Sequence, residues 1–177
     1  MKLTITLYDS GIKKNSSKVA KLESNKISGL IPSLEKSFVL FLAKNRQFTG
    51  VKQVSISMTL CGKKKIQGLN QKYRQKDKAT DVLSFPIFSN LRPDKLRSEK
   101  NPPYLELGDI VICKEIAKSQ AREFDITYEQ EIIHLGVHGF LHLLGFDHEI
   151  SGKEEKIMEK YESELVAKIY KKLKANQ

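Results

Sequence analysis

The sequence predicts a single α+β domain, one mixed β-sheet with helices packed on it. Three observations lead there. Short runs alternate apolar and polar residues, most clearly Val54-Ser-Ile56-Ser-Met58-Thr-Leu60. Other segments repeat their apolar residues every three or four positions, the spacing of a helix with one buried stripe. Near the C-terminal third, His138, His142, Gly145 and His148 follow one another at the spacing of a helix that ends in a glycine turn.

Taken in order, a strand is expected over residues 3–8. The start of the chain alternates and lacks the apolar core of a signal peptide. Asp9-Ser-Gly11 then opens a polar, lysine-rich connection. A helix is expected over residues 28–44, where Leu30, Leu34, Phe38, Phe41 and Leu42 make one stripe. Pro32 fits its first turn, where a missing N–H breaks no helical hydrogen bond. Residues 54–60 form a strand with one wet face. A short helix over residues 66–74 places Asn70 and Arg74 one turn apart. Residues 82–87 form a strand edged by Pro86, which has no N–H to give to a ladder. Residues 90–103 are polar, charged and proline-bearing, the composition of a loop. A strand over residues 107–113 runs into a helix over residues 114–123. The histidine helix starts near Thr127, whose hydroxyl caps it, with Gln130 three residues on as in a capping box. A last helix, residues 151–174, mixes Lys and Glu outside and packs Ile157, Tyr161, Leu165 and Ile169 inside. With no internal repeat, 177 residues suit one domain over 1–177 and are too few for two ordinary ones.

Composition narrows the function. The mean hydropathy is −0.40 and no apolar run approaches 18 residues, so a membrane span is not expected. Cys61 and Cys113 each end a strand-like run, and small buried thiols in a reducing cytoplasm are the expected reading. The formal net charge is +10, and residues 61–100 alone carry a net +7. Lys63, Lys64 and Lys65 by themselves are as well explained by a solvated face. Clustered beside the remaining motifs, the excess suits a polyanionic substrate, because basic surface attracts phosphate whatever its sequence. Tyr73, Phe85 and Phe88 are interleaved there; Phe85 is expected in the core, and Tyr73 stays open.

The stretch His138-Gly-Phe-Leu-His142-Leu-Leu-Gly145-Phe-Asp147-His148 holds three of the four histidines. Residues i and i+4 of a helix share a face, so His138 and His142 project together. Gly145 lets the chain leave in a left-handed conformation and swing His148 back toward them. Three neutral imidazoles converging in this way make a zinc site with an open fourth position, the arrangement of a hydrolase. The spacing is metzincin-like, a metal helix followed by a glycine turn. A metzincin carries its general-base glutamate after the first histidine, and here Gly139 stands there, which argues against a peptidase. His134 shares the same face but lies about 12 Å along the axis from His142, too far to ligate the same ion. It is either an interfacial histidine or a wall of the substrate cleft.

The string H-G-x-L-H-L-L-G-[YF]-D-H resembles the hallmark of the YbeY rRNA maturation factors, bacterial metal-dependent endoribonucleases. Leu69-Asn70-Gln-Lys-Tyr73-Arg74-Gln-Lys-Asp77-Lys-Ala-Thr80-Asp81-Val82-Leu83-Ser84-Phe85-Pro86 is similar to a second block of that family. Leu107-Gly108-Asp109-Ile110-Val111-Ile112-Cys113 is similar to a third. The three motifs keep the family order over residues 69–148, whereas the two ends match only in general character. The lysine run at 63–65 departs from the acidic residues common there.

The resemblance implies a zinc-dependent, single-strand-specific endoribonuclease of the cytoplasm, acting in 16S rRNA 3′-end maturation and ribosome assembly or quality control. Its expected partners are ribosomal RNA and the small subunit or its associated proteins. It implies one Zn²⁺ on His138, His142 and His148, with Arg74, at the family's arginine position, stabilising charge on the phosphate. Asp109 and Asp147 are candidates to accept the second N–H of a ligand histidine, Asp147 being equally suited to a turn. Thr80, Asp81 and Ser84 are expected in mainly structural roles. Two rivals remain, another zinc hydrolase or an RNA-binding assembly factor with a structural zinc, which would need a fourth protein ligand.

Overall fold

The computed structural model describes residues 1–10, 18–88, 90–92 and 101–175. Four strands form one sheet in the order β1-β2-β4-β3: β1 (Lys2–Asp9), β2 (Gln53–Cys61), β3 (Val82–Pro86) and β4 (Tyr104–Cys113). The pairs β1/β2 and β2/β4 are parallel, and β3 lies antiparallel to β4 at one edge, so the sheet is mixed as expected. Pro86 ends that edge strand, where its missing N–H disturbs no interior ladder. The five helices are α1 (Lys18–Leu42), α2 (Lys63–Arg74), α3 (Lys114–Glu123), α4 (Tyr128–Leu143) and α5 (Gly152–Ala175).

Strand alternation decides which helix covers which face. Val54, Ile56, Met58 and Leu60 of β2 face a large core with Leu34 and Phe38 of α1, Val137 and Phe140 of α4, and Leu165 and Ile169 of α5. On the opposite face, Leu83, Val111 and Cys113 meet Ile66 of α2 in a smaller cluster. The two thiols sit in register on β2 and β4, buried and free. Burial pushes the Cys61 thiol up to about 11, so both behave as the small hydrophobes the composition suggested.

Two helices start earlier than their apolar stripes indicated. Helix α1 begins at Lys18 rather than near Ser28, which puts Pro32 inside the helix and not in its first turn. Before the buried Ile27 the added segment makes no regular apolar stripe, Leu22 being exposed, so a search for a stripe passes over it, although Lys, Leu and Glu are good helix formers. Pro32 is tolerated because it lies on the exposed side, where solvent can serve the carbonyl left without an N–H. Helix α2 likewise takes Lys63, Lys64 and Lys65 into its first turn, behind Gly62.

Gly108, the glycine of the third motif, has a steric reason. It sits at φ +132° where β4 shifts register, and a Cβ there would lie 2.0 Å from the Phe85 carbonyl oxygen. Part of the predicted loop after β3 is docked. The Leu91 N–H bonds the Leu144 carbonyl at 3.0 Å, and the buried Arg92 pairs with Glu154 over the ring of Phe146. These contacts brace the end of α4. Residues 93–100 of that predicted loop, and the start of the connection after Asp9 from residue 11 to 17, lie outside the described residues.

Candidate metal centre

Helix α4 is held at both ends by the devices its sequence announced. Thr127 Oγ1 accepts from the Gln130 N–H, and Gln130 Oε1 accepts from the Thr127 N–H, a complete capping box. At the other end Gly145 has φ +90°. The Gly145 N–H bonds the His142 carbonyl at 2.9 Å and the Phe146 N–H bonds the Leu141 carbonyl at 3.1 Å, which is a Schellman closure. Phe146 is buried beside it, so the chain must turn back here and bring His148 over the last turn.

The three imidazoles meet as the spacing predicted. Ring centroids lie 4.7 Å apart for His138 and His142, and 5.3 Å from each to His148. One nitrogen from each falls within 4.8 Å of the others, a group able to hold a metal ion. Nε2 of His138 and Nε2 of His142 are 3.1 Å apart. Two ligands of a tetrahedral zinc at its usual bond length are separated by about 3.3 Å, so the donors present fit that ion. Burial first, then the charges of His138 and His148, hold the His142 imidazole down at about 4. It is therefore neutral at physiological pH, with a lone pair to offer.

Glu162 of α5 meets the histidine cluster from outside: its Oε1 lies 3.7 Å from His138 Nδ1. A carboxylate on that side favours the proton on Nδ1 and leaves Nε2 as the donor toward the cluster. The sequence offers Asp109 and Asp147 as candidates for this work. Asp109 is exposed on β4, and Asp147 Oδ1 accepts from the Glu149 N–H in a turn. No local spacing marks Glu162, because α5 brings it in from outside the histidine motif.

Gly139 is fixed by packing. A Cβ there would come within 2.7 Å of Ile110 Cγ2 and 3.1 Å of Ser84 Oγ, since α4 lies directly on β3 and β4. The position that holds the base in a metzincin is here pressed against the sheet and has no room for a side chain. His134 stands apart from the cluster, its Nε2 2.9 Å from the Tyr170 hydroxyl, so it is the interfacial histidine of the two readings. Asp81 accepts from the Thr80 hydroxyl, the Val82 N–H and Gln120 Nε2, which anchors the start of β3.

Arg74, at the end of α2, reaches the loop that carries His148. Its Nη2 lies 3.2 and 3.3 Å from the two carboxylate oxygens of Glu149, the residue after that histidine. Asn70, one turn earlier and buried, donates to the Lys78 carbonyl at 2.7 Å and so fixes the turn behind Arg74. Tyr73 is exposed and packs edge-on against Phe85, with Lys72 over its ring. Arg74 and the histidine group thus meet through the loop after α4, although Glu149 gave no signal in the sequence beyond its place beside His148.

Comparison with known proteins agrees with this geometry. The family described as Endoribonuclease YbeY matches residues 15–170. An endoribonuclease YbeY of Persephonella marina is 43% identical over 138 residues, 77% of this chain and 85% of its own. That of Aquifex aeolicus is 41% identical over 124 residues, 70% of this chain and 76% of its own. A solution structure of a Thermotoga maritima protein superposes with a TM-score of 0.59 at 26% identity, covering 98% of this chain and 93% of that one.

Proposed function

Because the chain belongs to the YbeY endoribonuclease family, we propose that it cleaves single-stranded RNA at the histidine cluster, with ribosomal RNA as the substrate. The observation that supports this most is the convergence of three imidazole nitrogens within 4.8 Å beside an arginine that reaches the same loop. One Zn²⁺ on His138, His142 and His148 would supply Lewis acidity and a water made acidic enough to attack a phosphodiester near neutral pH.

The chain's own residues then have separate tasks. His142 stays neutral through burial, and Glu162 orients His138 from outside. Arg74 presents a planar, two-pronged donor to the phosphate oxygens, which gain charge as the bond breaks. In the free protein one prong of that fork, Nη2, rests on both oxygens of the Glu149 carboxylate, an anionic oxygen acceptor as a phosphate would be. Lys63, Lys64 and Lys65 stand at the N-terminus of α2, where the helix dipole adds to their positive charge and attracts a polyanion.

A structural zinc is the weaker reading. Among the described residues the metal group has three members, and both cysteines lie in the small core on the α2 side of the sheet. We place the protein in the cytoplasm, acting with the small ribosomal subunit or its proteins. Among the described residues no helix is long and apolar enough to cross a membrane. Metal analysis of the purified protein, together with cleavage of a labelled single-stranded RNA and of casein, tests the proposal. Proteolysis without RNA cleavage would overturn it.

A further inference from the structure

Away from the histidine cluster, the seam between α1 and α5 encloses a cleft of about 390 Å³, within the range of sites that take small molecules or one segment of a larger one. Its lining carries Lys44, Lys168 and Lys172 against one carboxylate, Glu164, which pairs with Lys168 at 3.5 Å. The Lys172 ammonium donates to Ser37 Oγ at 3.1 Å. Burial, then the charges of Lys36 and Lys168, hold that ammonium below its usual range, so like charges converge here with little to offset them. Asn45 also lines the cleft and is 8% exposed. Its Oδ1 accepts from the Gln47 N–H at 3.0 Å, which identifies Nδ2 as the remaining group, and Nδ2 has no partner among the described residues.

The polar groups are not spread evenly. Lys172 meets Ser37, whereas Phe41 meets Tyr161 with ring centroids 5.4 Å apart, so the two helices run in opposite directions. Lys44 and Asn45 therefore flank one end of the cleft, and Ser37 and Lys172 the other. The ends are about 10 Å apart at the helical rise of about 1.5 Å per residue. Between them Phe41, Tyr161 and Leu165 form an apolar floor. A single small anion engages only one end. A nucleic-acid strand offers phosphates to both and a flat base to the floor between, the pairing of charge and aromatic surface by which single strands are held. An acidic peptide matches the charges but brings nothing flat to the rings.

We propose that the α1–α5 seam is a second contact for single-stranded RNA, with phosphates on its two lysine-bearing ends and a base on the Phe41–Tyr161 floor. Its position suits a strand that also visits the metal group. Helix α5 links the two: Tyr161 of the cleft floor directly precedes Glu162, whose carboxylate lies 3.7 Å from His138 Nδ1. The naming of RNA rests on the function proposed above, but the site itself does not depend on cleavage.

The test is equilibrium binding of a labelled 2′-O-methyl oligonucleotide of about 12 residues, long enough to cover both sites, across a range of salt. Lys44→Gln, Lys168→Gln and Lys172→Gln should each lower the slope of log affinity against log salt by about 0.7. The triple variant should bind at least about 10-fold more weakly at fixed salt. Tyr161→Leu should weaken binding and leave the slope alone, and Lys172→Arg should restore the wild-type slope. The series is repeated in an Arg74→Ala background: seam effects that persist there support the proposal even if no RNA is ever cut. A triple variant that is folded by circular dichroism and keeps wild-type slope and affinity would overturn it. So would polyglutamate displacing the oligonucleotide as well as RNA does, which would make the seam a site for an acidic protein.

Discussion

Arg74 and Glu149 join the end of α2 to the loop after α4, one guanidinium nitrogen lying 3.2 and 3.3 Å from the two carboxylate oxygens. Both side chains are about half exposed, so the pair adds little to stability, and its interest lies in where it holds the guanidinium. In the role proposed for Arg74, a substrate phosphate would displace Glu149 from that nitrogen. Arg74→Lys keeps the charge and loses the planar donor, so we expect metal content and fold to survive while single-turnover cleavage falls about 10-fold, roughly 1.4 kcal/mol. Arg74→Ala should fall further, and Lys76→Ala should mostly weaken RNA binding. Glu149→Gln should tighten RNA binding several-fold at low salt, since the competitor is gone. Equal single-turnover rates for wild type and Arg74→Lys would return Arg74 to the solvated surface.

The metal group makes a prediction that needs no substrate. An ion held by His138, His142 and His148 binds the folded chain alone, so removing it must lower stability. At a hundredfold excess over Kd the ion contributes about 2.7 kcal/mol, and for a chain of this size that is a Tm difference of roughly 5–10 °C. The purified protein should carry about one equivalent of zinc by elemental analysis. Chelation should lower Tm by that amount, and His142→Ala should neither bind stoichiometric zinc nor respond to chelator. Full occupancy in His142→Ala would show that the ion sits elsewhere.

Gly139 distinguishes a missing base from an excluded one. Gly139→Ala places a methyl 2.7 Å from Ile110 Cγ2, so α4 must lift from the sheet or Ile110 must leave its rotamer. Such overpacking costs about 1–3 kcal/mol. We expect a lower denaturant midpoint for Gly139→Ala, partly recovered in the double variant with Ile110→Val, which removes one carbon from the contact region. Gly139→Glu should unfold the domain or lose metal rather than gain proteolysis. A stable, zinc-loaded Gly139→Glu protein would contradict the packing argument.

The histidine site was legible because each of its parts is local. A cap, a helical spacing of four and a glycine at a left-handed exit lie within one short segment, and hydrogen bonds between near neighbours enforce them. The strands were legible for a similar reason, since alternation is written along each one. Glu162 and Glu149 were not. Their relation to His138 and Arg74 exists only after α5 and α2 have packed, and an acidic residue on a charged helix looks like any other solvated carboxylate. The first ten residues of α1 were missed because helix formation there rests on propensity, with Ile27 as its buried anchor and no apolar stripe before it.

Two carboxylates should respond to pH in opposite senses. Burial alone would raise the Asp81 carboxyl, but the bonds from Gln120, the Val82 N–H and Thr80 together outweigh it and hold it below its ordinary 3.8. A depressed folded value means stability that is present above the unfolded pKa and lost as pH falls through the folded one. Glu131 is 3% exposed, and burial, then the charges of Asp81 and Glu162, push it above its ordinary 4.5. Its charged form therefore costs stability at neutral pH, and the cost disappears as pH falls through the raised value. Asp81→Asn should be less stable than wild type at pH 7, with the gap closing only on acidification below about 4. Glu131→Gln should be more stable than wild type at pH 7, with its advantage shrinking above pH 4.5, before the Asp81 gap begins to close. Urea midpoints of the three chelated proteins from pH 7 to pH 3 measure both trends. If Glu131→Gln loses stability at neutral pH, the buried carboxylate makes a bond worth more than its burial costs.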